Sequence, residues 1–309
     1  MKLKITKQMV YAHFGLSRQA AFKAIARFKQ QTKLIEQIRP LVKEYRKNND
    51  ARAGSRSLFY NLDIRQKFGL GVNRFERLLS EEGLALKPLK IRRSTTKSSV
   101  LSQRYENLTF GLKLNGINQL VVGDLTYLTN IDPFNRWYLF CLTDAYSGRW
   151  VGFCLSKSMR TEDALVALEM WVELRLPESN LHGCIHHTDG GGQYFSELYL
   201  KRLSSLEIRI SKAGNCFENG LAEQRNGFIK QHLLPTFKGV TDPRELQKQF
   251  RRIMHIYNER KQAGLGWRSP VEFEAWTASL PEDQRLVITM PDFASKTLVK
   301  NSPSGKSDS

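Results

Sequence analysis

Three acidic residues carry the chemistry this sequence can do. Asp124 stands in Val-Val-Gly-Asp-Leu-Thr-Tyr, Asp189 in His-His-Thr-Asp-Gly-Gly-Gly-Gln-Tyr, and Glu223 in Gly-Asn-Cys-Phe-Glu-Asn-Gly-Leu-Ala-Glu. Carboxylate oxygens are hard donors, and three of them brought together suit Mg2+ or Mn2+. Two such ions about 3.5–4 Å apart can serve a phosphodiester, one activating the nucleophile and the other stabilising the leaving oxygen. The chain holds 48 Lys and Arg against 30 Asp and Glu, a net charge of +18 over 309 residues. A polyanion is the substrate such a balance favours, and the trio points to an enzyme acting on DNA.

The acids need a scaffold that makes them converge. Gln119–Leu128, Trp137–Asp144 and Arg149–Leu155 read as three strands, separated by the turn-rich segments 132–135 and 146–148. Asp124 interrupts the first strand, where an unpaired charge would be costly. A helix capped at Thr161 runs to about Leu174, with Glu162 and Asp163 in its first turn. A short strand, Cys184–Thr188, delivers Asp189, and the glycines that follow permit close approach of a ligand. Ser196 caps a further helix, Glu207–Ser211 is a strand, and a helix from about Asn219 to Gln231 carries Glu223. Hairpin strands followed by alternating helix and strand predict an α/β sheet of mixed direction. Residues 241–259 form another helix, with Asp242 as cap and Pro243 in its first turn.

The charge is lopsided. Residues 1–99 hold 23 Lys or Arg and 7 Asp or Glu, a net +16, whereas residues 100–309 hold 25 and 23, a net +2. A basic N-terminal third joined to a near-neutral remainder predicts a nucleic-acid-binding module. That third reads as all-α and helix-turn-helix-like. A short helix, a turn at Gly15-Leu16-Ser17 and a second helix with Ala20, Ala21, Ile25 and Phe28 on its inner side turn Arg18, Lys23 and Arg27 outward. A basic amphipathic stretch over 33–48 follows, with Pro40 expected to kink it or start a new helix. A second unit pairs a helix around Leu58–Phe68 with one that begins at an Asn73/Glu76 capping box and ends at Gly83. Its buried face is Phe75, Leu78 and Leu79, and Arg74 is a candidate DNA contact. The polar, basic segment after it includes Arg92 and Arg93, which could track a phosphate backbone.

Cys141, Cys154, Cys184 and Cys216 form no Cys-x-x-Cys pair, which argues for reduced structural thiols and against zinc, despite the His182/His186 spacing. No apolar run approaches the roughly 18 residues of a membrane span, and the N-terminus lacks a signal-peptide core, so a cytoplasmic, nucleoid-associated protein without membrane contact is expected.

The combined motifs resemble the D,D,E transposases of the IS-three family of insertion sequences and, more broadly, integrase-type catalytic cores. Asp-x-Thr-Tyr, His-Thr-Asp-x-Gly-x-Gln-Tyr and Gly-Asn-Cys-x-x-Asn-x-x-Ala-Glu carry the likeness. So do Leu142–Gly152, Tyr257-Asn258-Glu259-Arg260 and Leu265–Pro270, and the resemblance covers roughly residues 55–290. It implies a ribonuclease H-like mixed-sheet core with an all-α helix-turn-helix N-terminal region. It also implies Asp124, Asp189 and Glu223 as ligands of two Mg2+ or Mn2+ ions, with cleavage at element ends and strand transfer by direct transesterification. Lys230, seven residues after Glu223, falls where the family places a cation within reach of DNA phosphate. His187 and Gln193 are candidates for orienting the loop around Asp189 or contacting DNA.

The expected division is a helical DNA-binding region (1–86), a basic linker (87–115), the catalytic core (116–235), a C-terminal helical extension (236–293) and a disordered tail (294–309). Double-stranded DNA, both element ends and target, is the expected partner. A homo-oligomer on DNA and the family's upstream-frame protein are further expected partners. The alternative readings are a ribonuclease H-like nuclease, using water alone, and a non-catalytic DNA-binding regulator of transposition.

Overall fold

A computed structural model describes residues 6–87, 105–128, 136–176, 180–213, 227–233, 235 and 242–291. Glu223, Arg92, Arg93, Cys216 and the expected tail 294–309 lie outside these residues. The chain divides into two compact units, Met1–Lys87 and Pro88–Ser309.

The first unit is all-helical: α1 (Lys7–His13), α2 (Arg18–Asn48), α3 (Ser55–Asn61), α4 (Ile64–Phe68) and α5 (Val72–Glu81). Ser17 caps α2 as expected, its Oγ accepting from the Ala20 N–H at 3.1 Å. Three expectations change. Helix α2 does not end near residue 29 or restart at Pro40 but runs through both. Nothing between 29 and 33 breaks a helix, and Ile35, Ile38 and Val42 bury themselves against α3–α5, which outweighs the one hydrogen bond Pro40 removes. The helix expected over 58–68 is split at Asp63, which takes a left-handed φ of 51°. The capping box at Asn73 is absent. Gly71 stands at the N-cap of α5 without a side-chain bond, and Glu76 ion-pairs with Arg56 at 3.1 Å. Phe75, Leu78 and Leu79 are buried as their spacing requires, but of the predicted inner face of α2 only Ala21 is; Ile25 and Phe28 are exposed.

The second unit is built on a five-stranded sheet. Its strands are β2 (Leu120–Leu128), β3 (Trp137–Asp144), β4 (Trp150–Ser156), β5 (Ile185–Thr188) and β6 (Arg209–Lys212), in the order β4-β3-β2-β5-β6. β2, β3 and β4 are antiparallel, and β5 and β6 run parallel to β2. This is the α/β sheet of mixed direction that the sequence leads one to expect. β3 is buried along its whole length because both faces are covered. On one side α6 (Thr161–Arg175) and α7 (Glu197–Ser205) pack on Val121, Phe140 and Leu142. Gly152 allows the approach of α6, since a Cβ there would lie 2.1 Å from the Ala167 carbonyl oxygen. Helix α6 is capped one residue earlier than expected, with Asp163 accepting from the Arg160 N–H.

On the other side α8 (Pro243–Glu259) covers Leu139, Phe153 and Leu155 with Leu246, Phe250, Ile253 and Tyr257. Asp242 caps α8 through the N–H groups of Arg244 and Glu245, as expected. The closing motif explains itself here. The Asn258 amide brackets Trp150 on edge strand β4, accepting from its N–H and donating to its carbonyl, both at 2.9 Å. A side chain thereby occupies a strand edge that would otherwise be open to pairing. Ser269 and Glu272 form a reciprocal capping box for α9 (Pro270–Ala278). Residues 105–114, within the segment expected to be linker, pack on the sheet. Leu108 donates to the Ser211 Oγ, and β1 (Lys113–Leu114) pairs with β7 (Ile288–Thr289).

Four charged side chains from distant segments meet in this unit's interior. Glu274 on α9 takes both guanidinium nitrogens of Arg175 (2.6 and 2.9 Å), Arg149 at 2.6 Å and the Ser147 hydroxyl at 2.7 Å. Asp144, fully buried, accepts from the backbone N–H groups of Asn118, Tyr146 and Ser147 and lies 3.9 Å from Arg175. Burial pushes the Asp144 carboxyl up while Arg175 pulls it down. Burial alone would also raise Glu274, but the two guanidiniums outweigh it and hold the carboxyl below its ordinary value.

Candidate active site

Strand register is what brings two of the three predicted acids together. β2 and β5 pair in parallel as far as Gly123 opposite Thr188. One step further, Asp124 and Asp189 are neighbours on adjacent backbones, which run about 4.8 Å apart in a ladder and turn register partners to the same face. Asp124 remains inside β2, opposite Cys141 of β3, whereas Asp189 leaves the strand. Asp124 is half-buried and Asp189 exposed, unlike the buried strand residues before them.

The turn after Asp189 is held locally. The carboxylate accepts from the Gly191 N–H at 3.1 Å. Gly190 has φ +87°, a left-handed backbone that favours glycine, and the Lys212 side chain lies against it. Gly192–Phe195 then forms a short 3-10 turn, with the Tyr194 N–H donating to the Gly191 carbonyl at 3.0 Å. That turn drives the Tyr194 ring into the core, edge-on to Phe140, His186 and Tyr199 at centroid distances of 6.2, 5.9 and 5.6 Å. Its hydroxyl is buried with no hydrogen-bond partner among the described residues. Burial, reinforced by the neighbouring Tyr199 and by the charges of Asp124 and Asp189, raises its pKa well above that of an ordinary tyrosine. Sequence reasoning passed over Tyr194, although it stands in the quoted motif around Asp189. A tyrosine after a glycine-rich turn carries no signal of where its ring goes.

Lys230 lies near this pair. It sits on a helical turn of π type, Ile229–Leu233, that packs Ile229 into the core. Such wide turns are uncommon and recur at functional sites. Loss of hydration lowers the lysine's pKa, and the charge of Asp124 on β2 opposes that shift. Beside it, His232 stacks on Phe228 at 4.3 Å, and the Arg260 guanidinium lies 4.6 Å from the centre of the Phe228 ring.

The supporting residues divide. His187 is buried, with its Nδ1 2.9 Å from the Ser211 Oγ on β6, a contact that ties β5 to β6 just before Asp189. His186 behind it contacts the Val121 carbonyl and the Tyr199 hydroxyl, and burial lowers its pKa to about 4. Gln193 is half-buried and folds back over Gly191. Arg18, Lys23, Arg27 and Arg74 are exposed on the first unit. Cys141, Cys154 and Cys184 are buried thiols, and burial with Asp163 nearby pushes Cys154 up to about 12. Among the described residues no three ligating side chains form a cluster, and Glu223 lies outside them. None of the described helices is long and apolar enough to cross a membrane.

The integrase core domain family matches residues 115–215, from just before β2 to just past β6. A putative transposase for insertion sequence element IS986/IS6110 of Mycobacterium tuberculosis (strain CDC 1551 / Oshkosh) is 32% identical over 232 residues. That match spans 72% of this chain and 81% of the relative. The transposase InsF for insertion sequence IS3A of Escherichia coli (strain K12) is 31% identical over 165 residues, spanning 52% of this chain and 55% of its own. Among solved structures, the HTLV-2 integrase catalytic core domain in complex with magnesium aligns at 18% identity. It covers 52% of this chain and 97% of that chain, with a TM-score of 0.41.

Proposed function

The chain belongs to the IS-three family of insertion-sequence transposases, enzymes that act on DNA, and from that membership we propose that it cuts at the ends of its element and joins them to target DNA at Asp124, Asp189 and Glu223. The observation that carries this reading is the register of β2 and β5, which makes two acids from distant segments neighbours.

Two Mg2+ or Mn2+ ions are the cofactors of this proposal, and the donors fit them. Asp124 and Asp189 offer only carboxylate oxygen, and the nearest imidazoles, His186 and His187, are turned into the core. Glu223 would complete the set. When bound, the ions supply charge neutralisation at the attacking and leaving oxygens. Lys230 binds a DNA phosphate close to Asp124, as a compact point charge. In each step a hydroxyl oxygen bonds to phosphorus, the old P–O bond breaks, and the departing oxygen takes the proton. No bond to the protein forms. The exposed cations Arg18, Lys23, Arg27 and Arg74 hold DNA through the first unit, and Arg92 and Arg93 are further phosphate contacts of this reading. Joining two ends calls for at least two protomers on DNA, and the upstream-frame protein is a further partner under this reading.

The test is nicking and strand transfer on supercoiled plasmid carrying the element ends, with Mg2+ or Mn2+, for the native chain beside Glu223→Gln. Joined products that require metal and vanish in the variant are expected. Nicks without joining would favour hydrolysis by water alone, and activity that survives Glu223→Gln would overturn the site assignment.

A further inference from the structure

We propose that the outward face of α8 is a docking surface for the phosphate backbone of target DNA, and that it leads the duplex toward the turn that carries Lys230. The proposal rests on the reading of this chain as an enzyme that joins element ends to a target.

Helical spacing makes the surface. Arg244, Lys248, Arg251, Arg252 and His255 are all exposed on α8. At about 3.6 residues per turn they fall within about a third of the helix circumference and extend over about 17 Å of its axis. The acids of the helix stand at its ends, Glu245 in the first turn and Glu259 as the last residue. Among the described residues, Arg244, Lys248, Arg251 and Arg252 form no ion pair. Arg149, Arg175 and Arg202 of the same unit, by contrast, each hold a carboxylate. Cations crowded along one helix face repel one another, and a row of phosphates relieves that repulsion. Net charge conceals the surface, because residues 100–309 hold 25 Lys or Arg against 23 Asp or Glu.

The buried side of the helix fixes where the stripe stands. Leu246, Phe250, Ile253 and Tyr257 pack on the sheet, with Phe250 6.3 Å from Phe153 and Tyr257 stacked on Trp150 at 5.1 Å. Cys141, the register partner of Asp124, belongs to the same packed cluster, so α8 and Asp124 share one face of the sheet. At the C-terminal end of α8, Tyr257 meets Phe228 edge-on at 5.7 Å, and the Arg260 guanidinium lies over that ring. Phe228 is two residues from Lys230. The cations therefore lead from Arg244 toward the turn that carries Lys230.

The chemistry of the stripe selects the target duplex. Phosphate contacts from Lys and Arg position a duplex without identifying its bases. An element end is a defined sequence and needs base readout. Targets of differing sequence share only their backbone, which is what this surface fits.

The experiment measures binding of the full chain to two labelled duplexes across a salt series, one of random sequence and one carrying the element end. Native protein is compared with Arg251→Gln/Arg252→Gln and with Arg251→Lys/Arg252→Lys. A control, Lys201→Gln/Arg209→Gln, removes the same charge from exposed positions on α7 and β6. On the random duplex the glutamines should reduce the slope of log affinity against log salt by about 2, and the lysines should restore it. The control should keep the native slope. Joining of a precut end to plasmid should fall with the glutamines and recover as plasmid concentration is raised. A native slope in the glutamine variant, with native protein binding both duplexes, would overturn the inference and leave the DNA reading standing. An equal drop in the control would also overturn it, by showing an effect of total charge. Losses equal on the two duplexes, or confined to the element end, would refute the assignment to target. Native protein that binds neither duplex would sink the reading on which the proposal rests.

Discussion

Replacing Glu274 by Gln should weaken the second unit by about 2–3 kcal/mol. The estimate begins with the handful of charges that meet there. Glu274 and Arg175 are 8% and 6% exposed, Asp144 is fully buried, and Arg149 is 21% exposed. Two cations and two anions balance, so the native cluster carries no net charge. Removing one member of a buried pair typically costs about 3–5 kcal/mol, because the survivor is left desolvated. Two features moderate that figure here. Arg149 can reach water, and Arg175 keeps Asp144 at 3.9 Å, itself relieved of repulsion from Glu274. All five tryptophans lie in the second unit, at 137, 150, 171, 267 and 276, so urea unfolding followed by tryptophan fluorescence reports on it alone. A domain of this size should lose about 4–12 °C in midpoint. The effect has a pH signature. The Glu274 carboxyl is held below its ordinary pKa, so its stabilisation is complete above the ordinary glutamate value and disappears as pH falls through the lower, folded-state value. The gap between native and variant should close in acid. A loss under about 1 kcal/mol at unchanged m-value near neutral pH would show that the cluster is hydrated and refute the reasoning.

Two further outcomes are expected. His186, buried and neutral with its pKa lowered to about 4, takes up its proton only on unfolding between there and the ordinary value near 6.5. Its stabilisation is therefore whole above about 6.5 and is lost as pH falls toward 4, by about 3 kcal/mol in total. In a series of urea midpoints across pH, His186→Gln should lack that component, and a native-like slope in the variant would dismiss it. Lys230→Gln should weaken DNA binding uniformly across sequences and reduce the slope of log affinity against log salt by roughly 1. An unchanged slope would remove Lys230 from the phosphate contacts.

Much of the catalytic unit was legible because its signals are local. β2 and β3 show as apolar runs of strand length bounded by turns, and β3 falls on the residues expected for it. Caps at Ser17, Ser196 and Asp242 are single-residue chemistry, and each forms the bond its side chain predicts. The acids stood out because a charge in an apolar strand, or beside a run of glycines, needs a reason. The first unit was read less well. Asn73 has a capping side chain, but Gly71 was available two residues earlier, and Glu76 found a better partner in Arg56. The breaker at Asp63 has neither glycine nor proline to announce it.

What the sequence by itself determined is the set of groups and their chemistry: three carboxylates, a basic N-terminal third, and the motifs that mark the family. Only the tertiary structure decided which groups meet. Parallel pairing of β2 with β5 sets Asp124 beside Asp189 across 64 intervening residues, and no periodicity within either segment encodes that register. The same holds for Glu274 reaching Arg175 and for Tyr194 packing edge-on to Phe140 and His186. Local propensity depends on a residue and its near neighbours along the chain. Register and burial depend on surfaces that exist only once the sheet has formed and its two faces have been covered.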